Sequence, residues 1–139
     1  MSVGFILDDL VYFQLGHPDF VHSFFSTICY RLEKKIWGNK YPILMKELYS
    51  SKVDPNQLEL LKSETISIQK ELKRLKPSNA IWDIENINLK PPWGDKISHK
   101  VTNLENYFAT PEGNTFIEIL LDSIDYAQQN RINIKIKKI

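Results

Sequence analysis

Ile132-Asn133-Ile134-Lys135-Ile136-Lys137 decides the fold class. Three isoleucines alternate with an amide and two ammonium groups, the period of two that belongs to a strand with one face on a core and the other in water. The lysines suit a sheet edge that must not recruit other chains. A strand needs a partner, and Val3 to Leu15 offers one. It is apolar and rich in β-branched and aromatic residues, with Val11, Phe13 and Leu15 alternating against Tyr12 and Gln14. That segment reads as a strand or hairpin turning near Asp8 and Asp9.

Between these ends the period changes to that of helices. Gly16-His17-Pro18 breaks the extended pattern, and Val21, Phe24, Phe25, Ile28 and Leu32 then recur at helical spacing. A first amphipathic helix is predicted to about Lys35, ended by Gly38 and Asn39. Pro42 opens a shorter one through Ile43, Leu44, Glu47 and Leu48 to Ser50 or Ser51. Asp54 as cap, Pro55 at the first helical position and Gln57 in capping-box position start a third. Its stripe of Leu58, Leu61, Thr65, Ile68, Leu72 and Leu75 runs to Lys76, and Pro77 closes it. Thr110-Pro111-Glu112 carries a second N-terminal signature, followed by Phe116, Ile117, Leu120, Leu121, Ile124 and Ala127 on the buried face of a last helix ending near Asn130.

The stretch from Ala80 to Ala109 lacks long periodic runs and contains Pro91, Pro92 and Gly94. It is expected to be irregular, with short strands near Ile81 to Ile84 and Asn103 to Ala109, and a long weakly patterned stretch in a compact domain is a natural place for function. The predicted architecture is α+β: a small antiparallel sheet built from the N-terminal strand or hairpin, the short middle strands and the C-terminal strand, with about four helices on one face. At 139 residues one domain over 1–139 is expected.

Composition removes several functional classes. No window approaches the roughly 18 consecutive apolar residues of a membrane span, and no basic leader precedes an apolar run, so a cytoplasmic protein is expected. A net charge of +1 is too small for general nucleic-acid affinity, and Glu64 and Glu71 interleave with the bases Lys70, Lys73, Arg74 and Lys76. Charge is nevertheless segregated along the chain: residues 1–30 hold acids and no Lys or Arg, residues 31–79 are net basic, 80–130 net acidic, and the tail basic again. An acidic patch of that kind suits a basic macromolecular partner.

Catalytic and metal signatures do not stand out. His17, His22 and His99 fit no zinc-binding spacing, and the first two read as capping or surface histidines. The lone Cys29 sits among apolar residues and reads as core. No GxSxG, P-loop or GxGxxG occurs, and no cofactor is expected. What remains is a set of aromatic residues at helix ends and in irregular segments: Trp37, Trp82 and Trp93 with Tyr41 and Tyr107. Such residues dominate protein interfaces, although a role as plugs beneath long loops fits them too.

Several ordered blocks carry a family resemblance. His22-Ser23-Phe24-Phe25-Ser26-Thr27-Ile28, Trp37-Gly38-Asn39-Lys40-Tyr41-Pro42, Leu44-Met45-Lys46-Glu47-Leu48-Tyr49, Ile81-Trp82-Asp83-Ile84-Glu85-Asn86, Pro91-Pro92-Trp93-Gly94 and Leu104-Glu105-Asn106-Tyr107-Phe108-Ala109-Thr110 together resemble the Immunity protein 70 family of bacterial polymorphic-toxin systems. The resemblance implies a non-enzymatic protein that binds a cognate toxin domain and blocks it before the producing cell is harmed, and it carries over no catalytic residues. Nucleases are common among such toxins. The residues singled out for toxin binding are Trp82, Asp83, Glu85, Trp93, Asp95, Glu105 and Tyr107, on a monomer or weak homodimer. Two other readings compete: a small enzyme using Asp83, Glu85 or His99 in a cleft, and a scaffold self-associating through the heptad-like helix Asp54 to Lys76.

Overall fold

The computed structural model describes residues 2–9 and 11–138. Strand β1 (Val3–Leu7) is paired antiparallel on one side with β2 (Val11–Gly16) and on the other with β3 (Ile134–Lys138), giving the order β2-β1-β3. The C-terminal alternation finds its partner in the N-terminal strand, as the isoleucine pattern requires. Phe5 pairs with both Phe13 and Ile136, and the inward residues Val3, Phe5, Leu7, Leu15 and Ile134 are buried. Asp8 and Asp9 both adopt left-handed backbone angles, which a short polar side chain tolerates, and they turn the chain from β1 towards β2. Leu10, part of the predicted extended segment, lies outside the described residues. A shift of register between Val3 and Gly4 leaves Leu15 as the extra residue of a bulge, and Gly16 with φ of +136° bends the chain into the first helix.

Helices cover one side of the sheet. They are α1 (Pro18–Leu32), a single π-helical segment α2 (Ile43–Leu48), α3 (Leu58–Leu72), the short α4 (Leu104–Tyr107) and α5 (Phe116–Asn130), with 3₁₀ turns at Pro55–Gln57 and Pro77–Asn79. The stripe of α3 points inward: Leu58, Leu61, Thr65, Ile68 and Leu72 are all buried against the rest of the chain. The seam that could have paired two copies is therefore already covered from within.

The structure corrects the predicted elements at several places, among them the third helix, which ends at Leu72 and not at Lys76. The predicted middle strands do not form among the described residues: Leu104–Tyr107 is helical, and Ile81 to Ile84 is irregular. Helix α1 stops at Leu32, short of Lys35, because Lys34 and Lys35 are left-handed and the Lys35 N–H closes back onto the Cys29 carbonyl. Asp54 makes no capping bond with its side chain and approaches Lys52 instead. Thr110 does not cap α5; Thr115 does, forming a reciprocal capping box with Glu118. Residues 110–113 close a tight turn through Gly113 N–H to the Thr110 carbonyl, with Pro111 at its second position.

Buried carboxylates set the loop between α1 and α2. Glu33 is fully buried, and its two oxygens accept the backbone N–H groups of Gly38, Lys40 and Tyr41 at 3.0, 2.9 and 2.9 Å. Half-buried Glu64 on α3 accepts the N–H groups of Ile43 and Leu44 at the start of α2. Burial pushes the Glu64 carboxyl above its usual range; the two backbone hydrogen bonds oppose this, and nearby Glu33 adds to the rise.

Candidate functional site

The irregular segment that follows residue 79 is held by side chains of α1. Ser23, Ser26 and Thr27 are fully buried on that helix. The Ile81 carbonyl accepts hydrogen bonds from Ser23 Oγ (2.7 Å) and Thr27 Oγ1 (3.2 Å), Thr27 Oγ1 accepts from Ile81 N–H, and Ser26 Oγ accepts from Ile84 N–H. Arg31 Nε donates to the Asn79 carbonyl just upstream. Hydroxyls thus satisfy the backbone groups that a strand neighbour would have satisfied, which is why Ile81 to Ile84 is held on α1 without joining a sheet.

Phe20 is the hub of the aromatic face above this anchor. Its ring stacks on Trp82 (6.3 Å between centroids) and meets Trp93 (5.2 Å), Tyr107 (5.8 Å) and Phe108 (5.3 Å). Trp82 and Trp93 contact each other edge to face at 5.5 Å, and Trp93 Nε1 donates to the Tyr107 hydroxyl at 3.2 Å. Tyr107 is buried, and burial raises its hydroxyl above the usual range against the opposing effect of the Trp93 hydrogen bond. Trp82 and Trp93 remain partly exposed, and with Leu15, Gly16, Phe20 and Pro92 they line an open cleft of about 600 Å³.

The remaining predicted residues take different positions. Glu85 and Asp95 are exposed. Glu105 accepts from Gln69 Nε2 at 3.4 Å, which ties α4 to α3. Asp83 faces away from the cleft: its Oδ1 accepts the Glu85 N–H and lies 3.3 Å from His22 Nε2. His22 in turn bonds the Tyr49 hydroxyl through Nδ1. Because a carboxylate only accepts, Nε2 donates to Asp83, and in the neutral ring Nδ1 receives the Tyr49 O–H. Burial first, then Glu85 and Asp83, push the Tyr49 hydroxyl up, which keeps its proton in place for that donation. Trp37 lies parallel to the His22 ring at 6.4 Å and packs edge to face on Tyr49 at 5.1 Å. His22 is therefore a half-buried bridge between α1, the end of α2 and Asp83, a correction to its reading as a capping or surface histidine. His17 does cap α1, accepting the Asp19 N–H.

Sequence reasoning missed Phe20, His22 and Tyr49. Phe20 had a legible signal, standing four residues before Phe24 and so on the same helical face. Nothing in the spacing announced that Tyr49 and Asp83 meet across His22. His99 is exposed and makes no hydrogen bond or ion pair among the described residues, and the histidine that meets Asp83 is His22. No group of three or more metal-ligating side chains occurs among the described residues, and no helix there is long and apolar enough to cross a membrane.

Fold and site define a small α+β protein that presents an aromatic cleft beside exposed carboxylates, on a segment fastened to one helix. Residues 5–136 match Immunity protein 70, and the chain belongs to that family. Membership gives it a toxin-immunity role and a toxin as binding partner. No curated protein and no solved structure matches the chain.

Proposed function

We propose that the protein acts as a single domain in the bacterial cytoplasm, neutralising the cognate toxin domain of a polymorphic-toxin system by covering it, without turning over a substrate. The observation that carries this reading is the cleft at Trp82 and Trp93: two indoles are held half-open by Phe20 and Tyr107 rather than sunk in the core. Rigid aromatic anchors of this kind supply contact area at little entropic cost. Exposed Glu85 and Asp95 in the same segment suit a basic toxin surface such as that of a nuclease. Tyr107, Glu105 and Asp83 act behind them as positioning residues.

The test is binding of the purified protein to the product of the gene immediately upstream of its own. Trp82→Ala should weaken the complex by about 30-fold or more, the loss expected for truncating an interface anchor. Absence of binding by the wild-type protein at micromolar concentration would refute the proposal.

A further inference from the structure

The two edges of the sheet are unlike. The outer edge of β3 is met by Val53, which exchanges both backbone hydrogen bonds with Ile134, and β3 carries Lys135, Lys137 and Lys138. The outer edge of β2 has neither protection. Its sequence Val-Tyr-Phe-Gln-Leu-Gly contains no charge and no proline, and among the described residues its backbone bonds only to β1. An unguarded edge of this kind is the template on which another strand adds.

A trough runs beside that edge. Clefts of about 270, 350 and 600 Å³ share Thr110 and follow Phe13, Gln14, Leu15 and Gly16 from the first half of α5 to the tryptophans. Four carboxylates line it, Asp19, Glu112, Glu118 and Asp122, and no lysine or arginine does. Glu112 and Asp122 are exposed and make no ion pair among the described residues. Glu118 and Asp122 stand one helical turn apart, about 6 Å along the axis, close to the ~7 Å between alternate side chains of a strand.

From the unguarded edge and the uncompensated carboxylates we infer that the toxin inserts an extended, lysine- or arginine-bearing segment along β2 as a fourth strand, its alternate cations facing Asp122, Glu118 and Glu112. This rests on the immunity reading and adds the mode of contact. A second copy of the chain is the poorer occupant, because pairing β2 with β2 would bring the same carboxylates face to face.

The product of that upstream gene serves as probe, with the full-length protein and its Glu112→Lys/Asp122→Lys variant, whose substitutions replace exposed side chains. The expected result is a loss of affinity of about tenfold or more for the double variant, a weaker salt dependence, and slowed amide exchange at residues 11–16 in the wild-type complex. Glu112→Gln/Asp122→Asn should show a smaller loss in the same direction. Unchanged affinity and unchanged exchange at 11–16, with Trp82→Ala still weakening the complex, would overturn the strand-addition inference and leave the immunity reading standing. Protection of 11–16 that appears without toxin and grows with protein concentration would assign the edge to a second copy and overturn it as well. If the wild-type protein binds no toxin, both fall.

Discussion

Removing the buried Glu33 carboxylate leaves the N–H groups of Gly38, Lys40 and Tyr41 without their acceptor. Each orphaned donor costs about 1–3 kcal/mol, so Glu33→Ala should destabilise the fold by roughly 3 kcal/mol or more, read from the urea midpoint. Glu64 sets a pH dependence of the opposite kind to most surface acids. Its carboxyl is held above the ordinary value near 4.5 in the folded protein. The folded state therefore binds that proton more tightly than the unfolded chain, and stability falls as pH rises from about 4.5 through the raised value. In Glu64→Gln this component is absent, so the melting temperature of the variant relative to wild type should climb across the same interval. A difference that stays flat with pH would contradict the assignment. Cys29, its thiol pushed up by burial and then by Glu33, should react with thiol reagents only on unfolding.

At the scale of elements, the two threonines before α5 separate what a sequence pattern can and cannot say. Thr110-Pro111-Glu112 and Thr115-Phe116-Ile117-Glu118 both carry a helix-start signature, and proline after threonine serves a turn as readily as a first helical turn. The structure uses the second. Thr115→Ala should cost about 1 kcal/mol, the usual loss of a side-chain cap. Thr110→Val should be neutral or stabilising, because its Oγ1 is buried with no hydrogen-bond partner among the described residues. Thermal melts of both variants check the pair. The strands of alternating residues and the stripe of α3 were legible because burial on one face imposes a period on the sequence. The irregular course of residues 80–109 was legible from its prolines and missing period, but its anchorage was not, because Ile81 and Ile84 are held by Ser23, Ser26 and Thr27, which lie more than fifty residues away and leave no local period. The tryptophans were legible as candidates by type and placement. Their hub Phe20 and the Tyr49–His22–Asp83 bridge depend on contacts between distant segments.

For the molecule as a whole, the question is which apolar surface is left for a partner. The heptad-like seam of α3 is spent on the chain's own core, leaving Leu60 and Ile66 as its exposed apolar residues. The protein should therefore sediment as a monomer, and a concentration-dependent dimer would return attention to α3. Its acids and bases are sorted along the chain, so under the proposed function toxin association should slow as ionic strength rises, while dissociation, which the proposal assigns to the indole contacts, should change little. Stopped-flow rates at two salt concentrations separate these.

The fastening of the loop to α1 has a wider consequence. The hydroxyls of one helix grip main-chain atoms at Ile81 and Ile84, which every residue type but proline possesses, and the stretch beyond, from Glu85 to Lys100, is mostly exposed. Such a hold is indifferent to which side chains the outer stretch displays. A lineage under pressure to follow a changing toxin can rewrite that stretch repeatedly while the scaffold beneath it stays as it is.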